Sequence, residues 1–222
     1  STTHVPLAYV PFVSQQADSA IELFDTDRLD FIRLNNISAE QYQTSSTLEY
    51  ADLSEEHPFV LSANVRSYND HTYLDFLLKG PEGDWTGTLS GRSVLEVQSR
   101  LTAHLSQSFI YDILQFPASP DVVLAKLSLA HQQAPDDLIL LARLIQVFID
   151  TRQFESAMAM AEKLVQLANE AQEPIHLGQA YLLQSTVLTR KSLFELSAEK
   201  LELAQIAFKQ GNDLKGQSDA WY

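Results

Sequence analysis

The side chains whose types and spacing come nearest to chemistry surround His57, where Asp52, Glu55 and Glu56 crowd one imidazole. Neighbouring carboxylates raise one another's pKa, and a histidine titrates near neutrality, so the cluster Asp52, Glu55, Glu56 and His57 could respond to acid. The run Ser54-Glu55-Glu56-His57-Pro58 is equally what a solvated loop before a strand looks like. Asp70 and His71 could join a distant serine as a catalytic triad, yet a polar hairpin turn carries the same pair. The histidines, at 4, 57, 71, 104, 131 and 176, lack the short spacings that put two metal ligands on one helix face. No phosphate-cradling glycine loop and no Gly-x-Ser-x-Gly elbow is present, and the whole chain holds only 7 glycines. Without cysteine, the chain can form no disulfide, thiol nucleophile or cysteine-based zinc site. No catalytic residue, metal ligand or cofactor is assigned.

The elements that must position these groups fall into two halves. Pro6 to Val13 is apolar, rich in strand formers and interrupted by Pro11, which suits a strand that ends at an edge or switch. A short helix is expected at Ala17–Phe24, a second strand at Leu29–Leu34, and a short helix from Ala39 behind the capping pair Ser38 and Gln41. Phe59–Arg66 alternates Phe59, Leu61, Ala63 and Val65 with Val60, Ser62, Asn64 and Arg66. His71–Lys79 repeats the alternation, and the turn pair Asn69-Asp70 between them predicts a hairpin. Gly80-Pro81-Glu82-Gly83 turns the chain into a third strand, Trp85–Leu89, completing a meander. Ser93 and Glu96 form a capping box, and Val94, Val97, Leu101, Leu105 and Phe109 keep a helical spacing, which predicts one long helix over Ser93–Leu114 packed on that sheet. Trp85 and Phe109-Ile110-Tyr111 read as core, with a ligand pocket between sub-domains as the alternative.

Pro117 and Pro120 cannot both sit inside one helix, so the sub-domain boundary is placed there, giving 1–117 and 118–222. Ser119 then caps a helix with Pro120 at its first position. From Asp121 onward strand signals vanish. Shifting the chain by 40 residues aligns Leu141 with Tyr181 and Trp221, Val147 with Val187, Phe148 with Leu188, Phe154 with Phe194, Ala157 with Ser197 and Glu162 with Glu202. A repeated two-helix unit exposes an apolar flank that a neighbouring unit covers, leaving a concave groove along the stack. In this register Gln146, Asp150, Gln179, Thr186 and Arg190 line the groove, as partner-binding residues or as simply solvated positions.

Leu141, Leu144, Phe148, Phe154, Ala157 and Ala161, followed by Tyr181, Leu188, Phe194, Ser197, Leu201 and Ala204, resemble the tetratricopeptide pattern. The period exceeds that family's usual 34 residues by six, extra length assigned to the Asn169–Pro174 region, and Ile145 and Ser185 stand where that family most often has glycine or alanine. The front half carries a second resemblance. Tyr9-Val10-Pro11-Phe12, the strand Phe59-Val60-Leu61-Ser62-Ala63-Asn64-Val65-Arg66, a hairpin and a helix ahead of a repeat array are similar to the TolB-amino-terminal-like module. That module precedes helical repeats in CadC-like, ToxR-type membrane-bound transcription regulators. The resemblance implies a sensory or protein-interaction region, set in the periplasm as part of an inner-membrane protein, behind a cytoplasmic winged helix and one membrane span. Redox sensing through a disulfide, as in CadC-type regulators, is excluded here by the absence of cysteine.

The fold class expected is α+β: a small α/β sub-domain with a β-meander and packing helix, then an all-α tetratricopeptide-like helical-hairpin array. Net charge is −14, and residues 1–117 carry 16 acidic against 6 basic side chains where residues 118–222 carry 13 against 9. Such a surface repels phosphate backbones, so direct nucleic-acid binding is not expected of this segment, and the membrane would be reached only through a segment outside the chain. The expected partners are another protein or a small-molecule effector, with a homodimer as one assembly. A cytosolic tetratricopeptide scaffold is the alternative setting. Ser-Thr-Thr at the start, and Asp219-Ala220-Trp221-Tyr222 reading as the opening of a further helix, suggest a piece of a longer protein.

Overall fold

A computed structural model describes residues 4–14, 21–35, 37 and 53–221. The chain divides into two compact units, Ser1–Pro117 and Ala118–Tyr222.

The first unit is built on a mixed sheet of six strands: β1 (Val5–Tyr9), β2 (Val13–Ser14), β3 (Leu29–Arg33), β4 (Val60–Tyr68), β5 (His71–Gly80) and β6 (Gly83–Gly91). The order is β3-β1-β4-β5-β6, with β2 also beside β4. β1 is parallel to β3 and β4, while β4, β5 and β6 form an antiparallel meander. Tyr9 pairs with Leu61 and Val13 with Asn64, so four steps along the β1–β2 segment match three along β4. Pro11, which has no N–H to give the ladder, sits in that slip. Asn69 and Asp70 both have positive φ, 48° and 60°, the conformation a two-residue turn needs to follow strand twist.

Val60, Leu61, Ser62 and Ala63 are all buried, so the alternation expected along Phe59–Arg66 holds only in the outer half of β4. The strand lies inside the sheet, and Val60 joins Val10, Leu34, Ile37 and Leu53 in a small apolar cluster. The helix expected at Ala17–Phe24 is corrected over its described part: Ile21–Phe24 has no regular structure, and the Leu23 N–H donates to the Tyr9 hydroxyl at 3.3 Å. The remainder of that segment, and the Ser38–Gln41 capping pair with its helix, lie outside the described residues.

The single helix expected over Ser93–Leu114 is two helices, α1 (Val94–Leu105) and α2 (Ser108–Gln115). Side chains take up the carbonyls that the break would otherwise orphan. Ser106 donates its hydroxyl to Thr102 O at 2.7 Å, Gln107 Nε2 donates to His104 O at 3.1 Å, and the Tyr111 hydroxyl donates to Leu105 O at 2.6 Å. The bend buries both Val97, Leu101 and Leu105 of α1 and Ile110, Tyr111 and Leu114 of α2. At the start of α1 the Glu96 N–H donates to Ser93 Oγ at 3.1 Å, and Glu96 Oε2 accepts from the Arg92 N–H at 2.8 Å. That backbone hydrogen bond holds the Glu96 carboxyl below its usual range.

The second unit contains α3 (Pro120–Gln133), α4 (Leu138–Asp150), α5 (Phe154–Glu170), α6 (Pro174–Arg190), α7 (Phe194–Gln210) and α8 (Leu214–Asp219). Together with the sheet unit this makes the protein α+β, with a helical-hairpin array in its second half. Ser119 caps α3, accepting from the Val122 N–H at 3.4 Å ahead of Pro120. Leu141, Ile145, Ile149, Ala157, Ala161, Leu164, Ala180 and Val187 form one apolar core shared by α4, α5 and α6.

One turn is used four times. Arg152, Gln172, Ser192 and Asn212 all have positive φ, between 50° and 61°. The next residue's N–H reaches back to the helix in each case: Gln153 to Phe148 O, Glu173 to Ala168 O, Leu193 to Leu188 O and Asp213 to Phe208 O, at 2.8 to 2.9 Å. This is a Schellman closure, which satisfies the last carbonyls and sends the chain straight into the next helix. The assignment of the six extra residues to the Asn169–Pro174 region is therefore corrected. Asn169 and Glu170 are helical, Ala171–Glu173 is a turn like the others, and the long period comes from helices of 17 residues in α5, α6 and α7. Asp219 closes α8 and does not open a helix, since that helix starts at Leu214 behind the Asp213 cap.

Candidate functional site

The groove residues stand on α4 and α6, which pack as neighbours. The 40-residue register makes Gln146 equivalent to Thr186, and Asp150 to Arg190, so the two helices present matching positions. On α4, Gln146 Nε2 donates to Asp150 Oδ1 at 2.9 Å. On α6, spacings of seven and four place Gln179, Thr186 and Arg190 within one narrow face. Thr186 spends its hydroxyl on Leu182 O at 3.0 Å. Arg190 is exposed, and its guanidinium has no hydrogen bond or ion pair among the described residues. The row therefore offers one free cation, an exposed carboxylate and amide groups, a set suited to polar recognition of a peptide.

Of the acidic cluster, Glu55, Glu56 and His57 are described. Asp52 lies outside the described residues. Glu55 and Glu56 are exposed on a single helical turn over 53–56, closed by the His57 N–H bonding Leu53 O at 2.8 Å. His57 is half-buried beside them. Among the described residues no group of three His, Asp or Glu side chains is arranged to hold a metal ion.

Asp70 and His71 line an open polar pocket of about 630 Å³ at the β4–β5 turn, together with Ser67, Thr72, Arg92 and Ser93. His71 Nδ1 donates to Asn69 O at 2.9 Å, and its ring stacks on Tyr73 at 6.3 Å. The turn carbonyl, not Asp70, thus orients the imidazole, and Ser93 Oγ is occupied with capping α1. Neither serine is bonded to the histidine among the described residues, so the geometry of a triad is not formed here.

Three polar arrangements escaped the sequence reading. On β4–β6, Arg66 Nε reaches Asp75 Oδ2 at 3.3 Å, its guanidinium covers the Tyr73 ring at 4.6 Å, and Thr88 Oγ1 donates to Asp75 Oδ1 at 2.7 Å. The signal was present in the alternation, because the strand register sets Arg66 opposite Tyr73 and Asp75 opposite Thr88. Below the sheet, the Trp85 indole N–H donates to His104 Nε2 at 2.9 Å, and Phe109 meets the Trp85 ring edge-on at 5.6 Å. Trp85, Ile110 and Tyr111 are buried in the core. Burial lifts the Tyr111 phenol above its ordinary range. Between α6 and α7, Ser185 and Thr189 each meet Ser197 Oγ at 2.8 Å, where the first hairpin has Ile145 against Ala157.

No known family model matches the chain, and no curated protein matches it.

Proposed function

We propose that this chain is a non-catalytic sensory and protein-interaction region, acting through contacts made on the helix face that carries Gln146, Asp150, Gln179, Thr186 and Arg190. The observation that carries the reading is the pair of matching polar positions on neighbouring helices α4 and α6, ending in Arg190, which is unpaired among the described residues. A hairpin array presents equivalent positions at regular intervals, and an extended partner can engage several of them at once. The setting we propose is the extracytoplasmic part of a membrane-bound transcription regulator of the CadC-like, ToxR-type kind, with the acidic α/β unit as its companion module. That setting rests on the sequence resemblance alone. It requires an upstream winged helix and a single membrane span in the full reading frame, and a reading frame with neither refutes it. The surface is tested separately. Affinity capture with the wild-type chain should recover a partner that the Arg190→Glu and Gln179→Ala variants lose, while an equally folded Leu95→Ser variant on α1 retains it.

A further inference from the structure

The outer face of α7 differs in kind from the same face of α5. Leu196, Leu203 and Ile206 are 47%, 39% and 56% exposed and fall at i, i+7 and i+10, within one side of the helix. Their equivalents one repeat earlier are Ser156, Lys163 and Gln166. A stacking requirement common to both hairpins would not change all three positions from polar to aliphatic together. Beside the stripe run Glu195, Glu199 and Glu202, all exposed and without an ion pair or hydrogen bond among the described residues. On α5 the corresponding positions are Glu155, Ala159 and Glu162. Glu155 accepts from Lys191 Nζ at 2.7 Å and Glu162 is exposed, while Lys163 lies within the face, so α7 differs by the added Glu199 and by the absence of a lysine from its stripe. The neighbours of α7 occupy its other sides, with Phe208 packed against α6 and α8, and Gln205 Nε2 donating to Ala220 O at 3.2 Å.

We propose that this face is a docking surface for an amphipathic helix of a partner protein, with an apolar row to lie on Leu196, Leu203 and Ile206 and lysines or arginines to meet Glu195, Glu199 and Glu202. Charge selects the occupant. A row of unpaired carboxylates along an aliphatic stripe disfavours an anionic membrane and a second copy of this acidic chain, and favours a basic helix laid into the groove in the i, i+3, i+4, i+7 manner. The surface is separate from the row on α4 and α6, so it stands or falls independently of it.

The test uses the full chain and a fluorescein-labelled helical peptide of leucine and lysine, leucines at i, i+3, i+4 and i+7, with a scrambled isomer of equal composition as control. Titrations run at physiological salt, where charge attraction beyond about 8 Å is screened. The patterned peptide should bind saturably and at least about tenfold more tightly than the scrambled one. Leu203→Glu should weaken it by about tenfold or more, and so should Glu199→Lys with Glu202→Lys, which leaves the aliphatic stripe and the helix intact. Arg190→Glu should leave it unchanged. Equal binding of the scrambled peptide overturns the proposal, as does indifference to the α7 substitutions in variants whose melting matches wild type. It is also overturned if the chain sediments as a dimer that Leu203→Glu dissociates, or if phosphatidylcholine–phosphatidylglycerol vesicles bind it through the same residues.

Discussion

Phe208 of α7 is 1% exposed and is held between two helical glycines. A Cβ added to Gly178 on α6 would stand 2.6 Å from both Cδ1 and Cε1 of the ring, and one added to Gly216 on α8 would stand 2.5 Å from Cδ1. Carbon atoms in contact prefer about 3.5–4.0 Å, so Gly178→Ala must displace the ring by roughly 1 Å. The ring has little room to retreat, because Gly216 closes its other side. Overpacking of this kind costs about 1–3 kcal/mol, whereas alanine in place of a mid-helix glycine returns about 0.5–1 kcal/mol. The net expectation is a loss of about 1–2 kcal/mol, which lowers the Tm of a unit this size by roughly 4–16 °C. Urea unfolding followed by far-ultraviolet circular dichroism measures it. Phe208→Leu added to Gly178→Ala should recover part of the loss, giving a coupling of about 0.5–3 kcal/mol in a double-mutant cycle. If Gly178→Ala instead stabilises the chain, as it would in an uncrowded helix, the close-approach argument is wrong.

The four left-handed turn residues make a second prediction. Arg152→Gly, Gln172→Gly and Ser192→Gly should each raise stability by about 0.5–1 kcal/mol in thermal melts, since glycine adopts their φ without the Cβ strain. A third concerns the β6–α1 contact: His104→Leu removes the acceptor of the Trp85 indole N–H and should cost about 1–3 kcal/mol, much of it recovered when Trp85→Phe removes the donor as well. Quenching and shift of Trp85 fluorescence track that unit. A fourth concerns acid. Burial, with Lys163 donating to His131 Nε2 at 3.4 Å, holds the His131 imidazole below its ordinary 6.5. The unfolded chain then binds a proton that the folded chain refuses, so this contribution to stability is present above about pH 6.5 and declines as pH falls through the lower folded value. Urea midpoints between pH 7.5 and 5.5 should fall less steeply in His131→Gln, and an unchanged slope would remove His131 from the account.

The equivalence of positions on α4 and α6 was legible in the sequence because helical repeats encode themselves locally. Gln146 and Thr186, Asp150 and Arg190 are related by a shift that needs no coordinates, and the same shift brings out the contrast between Ser156, Lys163, Gln166 and Leu196, Leu203, Ile206. The meander was legible for the same reason: Asn69-Asp70 forces its own turn, and period-two alternation sets which strand residues share a face. The surroundings of Glu55, Glu56 and His57 were not, because sequence proximity says nothing about burial: both glutamates are exposed and the histidine is half-buried.

What the sequence determined alone, then, is the class of each half and the register of the repeat, since both follow from short-range periodicity and turn chemistry. Tertiary structure decided the rest. The break at Ser106–Gln107 exists because two apolar faces must reach one sheet, and the side chains that make it tolerable, Ser106, Gln107 and Tyr111, bond to the carbonyls at the bend. Buried pairs such as Trp85 with His104, and Ser185 with Ser197, depend on which helix crosses which at what distance. The long period is also set by tertiary structure: its six added residues extend the helices, because the same closed turn recurs at Arg152, Gln172, Ser192 and Asn212. A turn that satisfies its own carbonyls can be repeated without cost to its neighbours, whereas a packed crossing is specified only when both partners are in place.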